Sequence, residues 1–209
     1  MKDILVRNSN ELLTEIQNKD ETTYFHSIRV GNLTKSFSTK INCYSDELYL
    51  GALMHDVGKI CIEDNLLKKE GKLSWDEYLQ MQKHVIYSAE ILKEYDFPQK
   101  IIDITMHHHE RIDGKGYCKK LSNGQILLES RIVNIVDSFD AMLSLRPYKT
   151  EKSLISALLE LEKCSGTQFD EELCEKFIWF IQECLIERRE NNSNERKENI
   201  INSILITNF

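Results

Sequence analysis

Glycine and proline are scarce in this chain, with eight glycines and two prolines among 209 residues, about 5% against the roughly 12% of average usage. An all-β sandwich or barrel turns every eight to twelve residues or so and uses those two residue types at its turns. The scarcity therefore confines the chain to a mostly helical architecture. The apolar pattern agrees. Apolar side chains recur at three- and four-residue spacing over 4–17, 21–41 and 45–56, and again over 74–95, 98–107, 130–145, 151–163 and 170–189, and each stretch reads as a helix. Ser74-Trp75-Asp76-Glu77 has the form of a capping box and opens the stretch that runs through Tyr95. Pro98 opens the next. Residues 111–128 gather Gly114, Gly116, Ser122, Asn123 and Gly124 and read as a loop. No strand-length alternating run and no internal repeat is visible.

Hydrophobic residues make up 41% of the chain, enough to bury a core. The length suits one domain with an appendage. We place the domain at residues 1–187, short N-terminal helix included, and a polar segment with a short apolar tail at 188–209. Glu187 through Glu198 carry no apolar side chain, whereas Ile200-Ile201 and Ile204-Leu205-Ile206 are apolar enough to dock on the domain or on a partner. The formal charge of −7 argues against coating duplex nucleic acid, which needs a basic footprint, but leaves room for a small phosphorylated ligand held by local charge. No apolar run approaches the ~18 residues that span a bilayer, and the N-terminus has no signal-peptide core. Cysteines 43, 61, 118, 164, 174 and 184 form no C-x-x-C pair and read as reduced thiols. The expectation is a cytoplasmic protein without membrane association.

The six histidines carry the chemical information. His55-Asp56 ends the third helical stretch, His84 shares an inward stripe with Met81, Ser88 and Leu92, and His107-His108-His109 ends another helix. Asp137 follows Val133 and Val136 on an apolar helix, with Asp140 one turn later. Carboxylates are seldom buried in such surroundings unless paired or metal-bound. Each has an ordinary reading: a hydrogen-bonded core histidine, an Asp137 paired with Arg131 or Arg146, imidazoles answering a helix dipole. Taken together, imidazoles and a carboxylate able to bridge suit borderline transition metals rather than an all-oxygen magnesium or calcium site.

His26-x-x-Arg29 and His55-Asp56-Val57-Gly58-Lys59-Ile60 resemble the HD superfamily of metal-dependent phosphohydrolases. The ten residues His108-His109-Glu110-Arg111-Ile112-Asp113-Gly114-Lys115-Gly116-Tyr117 are similar to the signature of its HD-GYP branch. Asp137-Ser138-Phe139-Asp140-Ala141 and Arg146-Pro147-Tyr148-Lys149 follow in that branch's order, with lesser matches at Leu66-Leu67-Lys68 and Gly71-Lys72-Leu73. The resemblance covers residues 22–180. It implies an all-α HD-domain helical bundle with a dinuclear metal site and a loop bearing the signature. His26, His55, Asp56 and Asp137 would hold one divalent ion, and Asp56 would bridge to a second held by His84, His108 and His109. Iron or manganese suits this ligand set best, with nickel or zinc also compatible. Lys59 would stand beside the attacked phosphate, with Asp56 and Asp140 in the catalytic group. Tyr117, Arg146 and Lys149 would contact the nucleotide, while Asp113 and Gly114 would shape the loop. Asp140 is expected to orient the nucleophile or Lys59. Arg146 and Lys149, with Lys115 and Lys119, would supply positive field.

The implied activity is hydrolysis of cyclic di-GMP to pGpG, carried on to GMP in some members of the branch. The alternatives are a phosphohydrolase of another cyclic dinucleotide or nucleotide, and a non-catalytic module that senses nucleotide or docks a GGDEF-type cyclase. Two positions depart from the pattern. Cys118 stands where the signature has Pro, whose ring would fix φ. Thr22 stands where some members place a Glu that holds a third metal; Glu21 is one position off, about 100° around a helix. Two metals are therefore expected.

Overall fold

The computed structural model of the chain describes residues 2–144 and 153–191. Its elements are α1 (Lys2–Lys19), α2 (Glu21–Lys40), α3 (Asp46–Met54), a 3-10 turn (Val57–Cys61), α4 (Asp64–Leu67), α5 (Trp75–Met81), α6 (His84–Glu94), α7 (Gln99–His107), a second 3-10 turn (Asn123–Gln125), α8 (Leu128–Leu143), α9 (Leu154–Cys164) and α10 (Glu171–Asn191). Among the described residues the β-pairing amounts to one isolated bridge, Ser165 with Phe169. The all-α expectation holds. Helix starts follow side-chain chemistry: Asp20, Ser45 and Ser153 accept from backbone N–H groups of the first turns of α2, α3 and α9, and the Ser74/Glu77 capping box opens α5. Each such cap satisfies a donor that the helix itself leaves unpaired.

The stretch 74–95 is not one helix. It breaks between α5 and α6, where the Lys83 N–H turns back to the Gln80 carbonyl three residues earlier at 3.1 Å. The Met81 carbonyl there accepts from the His84 ring at 2.7 Å. A side-chain donor competes locally with the helical ladder, and hydrophobic spacing alone does not register that competition.

α3 organises the interior. After an acidic first turn, Asp46 and Glu47, it is apolar to its end and buried over Gly51–Met54, and it faces two clusters. Leu48 and Ala52 join Val30, Phe37, Ile132 and Phe177 on one side, where Phe177 meets Phe37 and Phe139 edge-on at 5.0 and 5.1 Å. Leu53 and Met54 join Leu12, Ile16, Leu92 and Ile101 on the other. His55 and Asp56 follow directly at the end of α3, between these two packed bodies. None of the described helices is long and apolar enough to cross a membrane, and all six cysteines are free thiols. α10 runs on to Asn191; the tail from 192 onward, with its apolar residues, lies outside the described residues.

Candidate metal centre

Three histidines are aimed by the same local device. His55 caps the end of α3, His84 opens α6 and His108 caps α7. In each, the ring Nδ1 bonds the carbonyl three residues earlier: Ala52 at 2.8 Å, Met81 at 2.7 Å and Thr105 at 2.6 Å. A ring that donates through Nδ1 keeps its lone pair on Nε2. The backbone at a helix end thus selects the tautomer and turns the free nitrogen inward. All three rings are buried.

His26, inside α2, is held by side chains instead. Its Nδ1 lies 2.7 Å from Asp140 Oδ2 and its Nε2 lies 2.9 Å from Asp137 Oδ1. Arg29, one turn on, donates to both Asp140 oxygens at 2.7 and 2.9 Å and to Ser144 Oγ at 2.8 Å. Asp140 therefore sits behind His26 with both oxygens taken. Lys59 pairs with Asp56 at 2.6 Å instead. Asp140 is thus placed to fix His26 rather than to orient Lys59.

Asp56 stands between two groups of ligating atoms. Its Oδ2 lies 3.2 Å from His55 Nε2 and 3.6 Å from His26 Nε2, and its Oδ1 lies 3.3 Å from His84 Nε2. One atom each from His26, His55 and Asp137 falls within 4.8 Å of the others, and so do the sets His84, His108, His109 and His55, Asp56, His108. All seven expected ligands converge, although the sequence scatters them from 26 to 137. Arg131 does not pair with Asp137; it binds Asp170. His107 ends α7, half-buried and away from these sets.

Whether these residues fit a cation is decided by their unmet valences. Asp56 Oδ1, His84 Nε2 and His108 Nε2 are buried without a hydrogen-bond partner, and His55 Nε2 faces His26 Nε2 at 3.3 Å. Orphaned buried acceptors each cost on the order of 1–3 kcal/mol, and divalent cations are what such a convergence of lone pairs and carboxylates accommodates. Electrostatics points the same way. Burial, reinforced by the neighbouring imidazoles, keeps the His108 pKa well below the usual histidine range. Burial likewise lowers His84, against the pull of Asp56, and takes His109 down to about 3. For Asp56, burial favours the neutral acid, but Lys59 and His55 outweigh it and hold the pKa well below the usual carboxylate range. His26 does the same for Asp137. Neutral His84, His108 and His109 beside ionised Asp56 and Asp137 are the protonation state that metal coordination requires. At His26 burial lowers the pKa, but the hydrogen bonds to Asp137 and Asp140 outweigh it and raise it to about 9, so a cation bound there displaces a proton.

The centre floors a cavity of about 620 Å³. Thr22, Lys59, Arg111, Lys115 and Tyr117 line it above the histidines and aspartates. Thr22, not Glu21, faces this space, as the helical register implied. The loop is shaped by groups that spacing did not reveal. Glu110, buried, accepts from the backbone N–H groups of Lys119 at 2.5 Å and Leu121 at 3.0 Å. Arg111 clamps Asp113 through two hydrogen bonds and reaches Gln168 from the far side. Gly116 packs so closely that a Cβ would meet the His109 carbonyl oxygen and Glu110 Cα at 2.6 Å. Tyr117 consequently lies against the His109 ring, centroids 4.8 Å apart, and burial raises its hydroxyl pKa, keeping it a neutral donor. The Tyr117–Cys118 peptide is cis. Lys115 borders the cavity, whereas Lys119 serves the loop through its backbone. Arg146 and Lys149 lie outside the described residues.

The HD domain family model matches residues 10–173. A cyclic di-GMP phosphodiesterase of Thermotoga maritima is 37% identical over 165 residues, covering 77% of this chain and 45% of that protein. A 3'3'-cGAMP-specific phosphodiesterase of Vibrio cholerae is 35% identical, covering 65% and 32%. The chain spans less than half the length of these curated relatives. Among solved structures, Bd1817, an HDG"Y"P protein from Bdellovibrio bacteriovorus, superposes with a TM-score of 0.63 at 21% identity, covering 78% of this chain and 53% of that one. That likeness shows the shared fold. An HD domain implies divalent-metal binding, and this one presents the histidines and aspartates for it. The chain belongs to the HD superfamily of metal-dependent phosphohydrolases, in its HD-GYP branch.

Proposed function

We propose that this chain is a metal-dependent phosphodiesterase that hydrolyses cyclic di-GMP to pGpG, with GMP as a further product, and that residues 1–187 carry the activity. The observation that supports this most directly is Asp56: a buried carboxylate directed at two imidazole clusters on the floor of a cavity whose walls bear Lys59, Arg111 and Lys115. His26, His55, Asp56 and Asp137 would hold one cation, and Asp56, His84, His108 and His109 a second. When bound, the two cations supply the Lewis-acid charge that activates water and neutralises a phosphodiester. Iron or manganese is the proposed pair.

The chain's own residues do the rest. Lys59 presents its ammonium to a non-bridging phosphoryl oxygen, where charge builds during in-line displacement. Arg111 and Lys115 add positive field around the second phosphate, so a protein of net charge −7 still attracts an anionic ligand locally. Tyr117 buttresses His109 and offers a neutral hydroxyl to the nucleotide, and Arg146 and Lys149 complete the phosphate contacts.

Asp140 is a positioning residue in this scheme. Asp140→Asn keeps the volume but loses the charge that Arg29 and His26 share. Metal affinity is expected to fall about 10–100-fold, the usual cost of losing a group that orients a ligand. Titration of metal-depleted protein measures it, and excess metal should restore kcat to within a few-fold. A residue acting on the nucleophile would show the reverse: unchanged affinity and lost kcat at saturation.

The test of the whole reading is anaerobic purification, elemental analysis and product identification from a panel of cyclic di-GMP, 3'3'-cGAMP, cyclic di-AMP and GMP. Two metals per chain and release of pGpG are expected. The 3'3'-cGAMP relatives, together with Cys118 in place of Pro, make that dinucleotide the second substrate to examine. Metal-replete protein that leaves every cyclic dinucleotide intact overturns the proposal in favour of a binding module.

A further inference from the structure

α5 is an anomaly in a helical protein of this size. None of its residues is buried, yet it carries a tryptophan that is 70% exposed and a tyrosine that is 41% exposed. Trp75 and Tyr78 lie one turn apart, with ring centroids 5.9 Å from each other and planes inclined by 38°. The helix is anchored at its N-terminal turn, by the capping box at Ser74 and by Glu77 bonded through both oxygens to Lys69 at 2.6 Å. A large aromatic surface kept out of the core calls for a partner.

Position names that partner. Tyr78 and Leu73 line the cavity above the metal centre, and the same two residues line a shallower hollow of about 440 Å³ with Gly71, Lys72 and Trp75. The two spaces thus share a wall. Tyr78 lines the metal-side cavity together with Tyr117 and Arg111, so it stands at the junction between the phosphate-facing side and the outer hollow. A cyclic dinucleotide carries two purines on opposite flanks of its phosphate ring. With one phosphate over the metals, one base must leave the polar floor.

We propose that Trp75 and Tyr78 form a stacking platform for an outward purine of the bound dinucleotide. The inference rests on the proposed cyclic dinucleotide substrate and adds a specificity-determining subsite to it. A purine face stacked on an aromatic side chain is worth about 1–3 kcal/mol, which is roughly 5- to 150-fold in affinity. The gain comes from binding, so it belongs in KM rather than in kcat.

The test uses the full chain. Its two tryptophans are Trp75 and Trp179, so Trp179→Phe leaves Trp75 as the only indole reporter. Titration of this variant, metal-depleted, with cyclic di-GMP is expected to quench Trp75 fluorescence saturably, and ribose 5-phosphate, which has no base, is expected to leave it unchanged. In metal-loaded protein, Trp75→Ala should raise KM for cyclic di-GMP about tenfold or more with kcat within twofold, and Trp75→Phe should recover most of the loss. Being exposed, residue 75 can change without unfolding the protein. Hydrolysis with an unaltered KM in Trp75→Ala and no quenching overturns the platform and leaves the phosphodiesterase reading intact. Saturable quenching without hydrolysis supports the platform and overturns the phosphodiesterase. Neither quenching nor hydrolysis of cyclic di-GMP overturns both.

Discussion

Asp56→Ala is expected to remove both cations and the phosphodiesterase activity together. Asp56 directs one oxygen at each cluster, Oδ2 at His55 and His26 and Oδ1 at His84, and reaches the second cluster more closely than Asp137, whose Oδ2 stands 3.9 Å from His109. Its loss therefore costs each ion a ligand, whereas loss of His26 or His109 affects one. The substitution also leaves the Lys59 ammonium, now 2.6 Å from Asp56 Oδ2, without that carboxylate, so that it repels incoming cations. If the pair of cations supplies about 5 kcal/mol of transition-state stabilisation, then at about 1.4 kcal/mol per decade turnover drops by three to four orders of magnitude. Elemental analysis and a cyclic di-GMP hydrolysis assay on the same preparation check this. Asp56→Asn serves as the companion variant, because it retains the volume and so separates loss of charge from collapse of the site. Full metal content with full turnover in either variant would remove Asp56 from the bridging position and with it the dinuclear arrangement.

What could be read from the sequence follows the range over which each interaction acts. Helix existence was legible because spacing and caps are local: Ser74 with Glu77, Pro98 ahead of α7, and the glycine-rich stretch after His109 all fall where expected. The break between α5 and α6 was not, because it depends on His84 diverting the Met81 carbonyl, a competition that apolar periodicity does not record. The seven candidate ligands were proposed through a family signature; the common Nδ1-to-carbonyl bond of His55, His84 and His108 gives the physical reason why a histidine at a helix end suits that role. Asp140 was read as orienting the nucleophile or Lys59, whereas its carboxylate bonds Ser144 one turn on and Lys59 pairs with Asp56 instead. Its other partners, His26 and Arg29, are more than a hundred positions away in the chain, on α2. Gln168 reaching Arg111, and Ser88 under Gly58, were invisible for the same reason. Neither has a distinctive residue type nor a local spacing to mark it.

Gly58 provides the second large effect, through space rather than charge. The 3-10 turn that follows Asp56 lies directly on α6. The Gly58 N–H donates to Ser88 Oγ at 2.7 Å, and that hydroxyl donates on to the His55 carbonyl at 3.2 Å. A Cβ on residue 58 would overlap the His84 carbonyl oxygen and the Ser88 amide nitrogen. Both are backbone atoms, so no side-chain rotation relieves the contact, and the turn and α6 must move apart. That separation opens the 3.3 Å gap between Asp56 Oδ1 and His84 Nε2, the seam where the two clusters share a carboxylate. Gly58→Ala is thus expected to lose metal as well as stability. Overpacking of this kind costs about 1–3 kcal/mol, more where backbone must shift, which in a chain of this length lowers Tm by roughly 2–12 °C. Ser88→Ala added to Gly58→Ala should give no recovery, because the serine hydroxyl is the lesser of the three contacts and its removal takes a buried hydrogen bond away. Gly124→Ala is the matched control: a Cβ there meets nothing within 4 Å, and its Tm and metal content should stay at those of the parent chain. Thermal melts and elemental analysis of the four proteins decide the point. A Gly58→Ala variant that melts with the parent and keeps its metals would mean that the turn and α6 are not held in register by that contact.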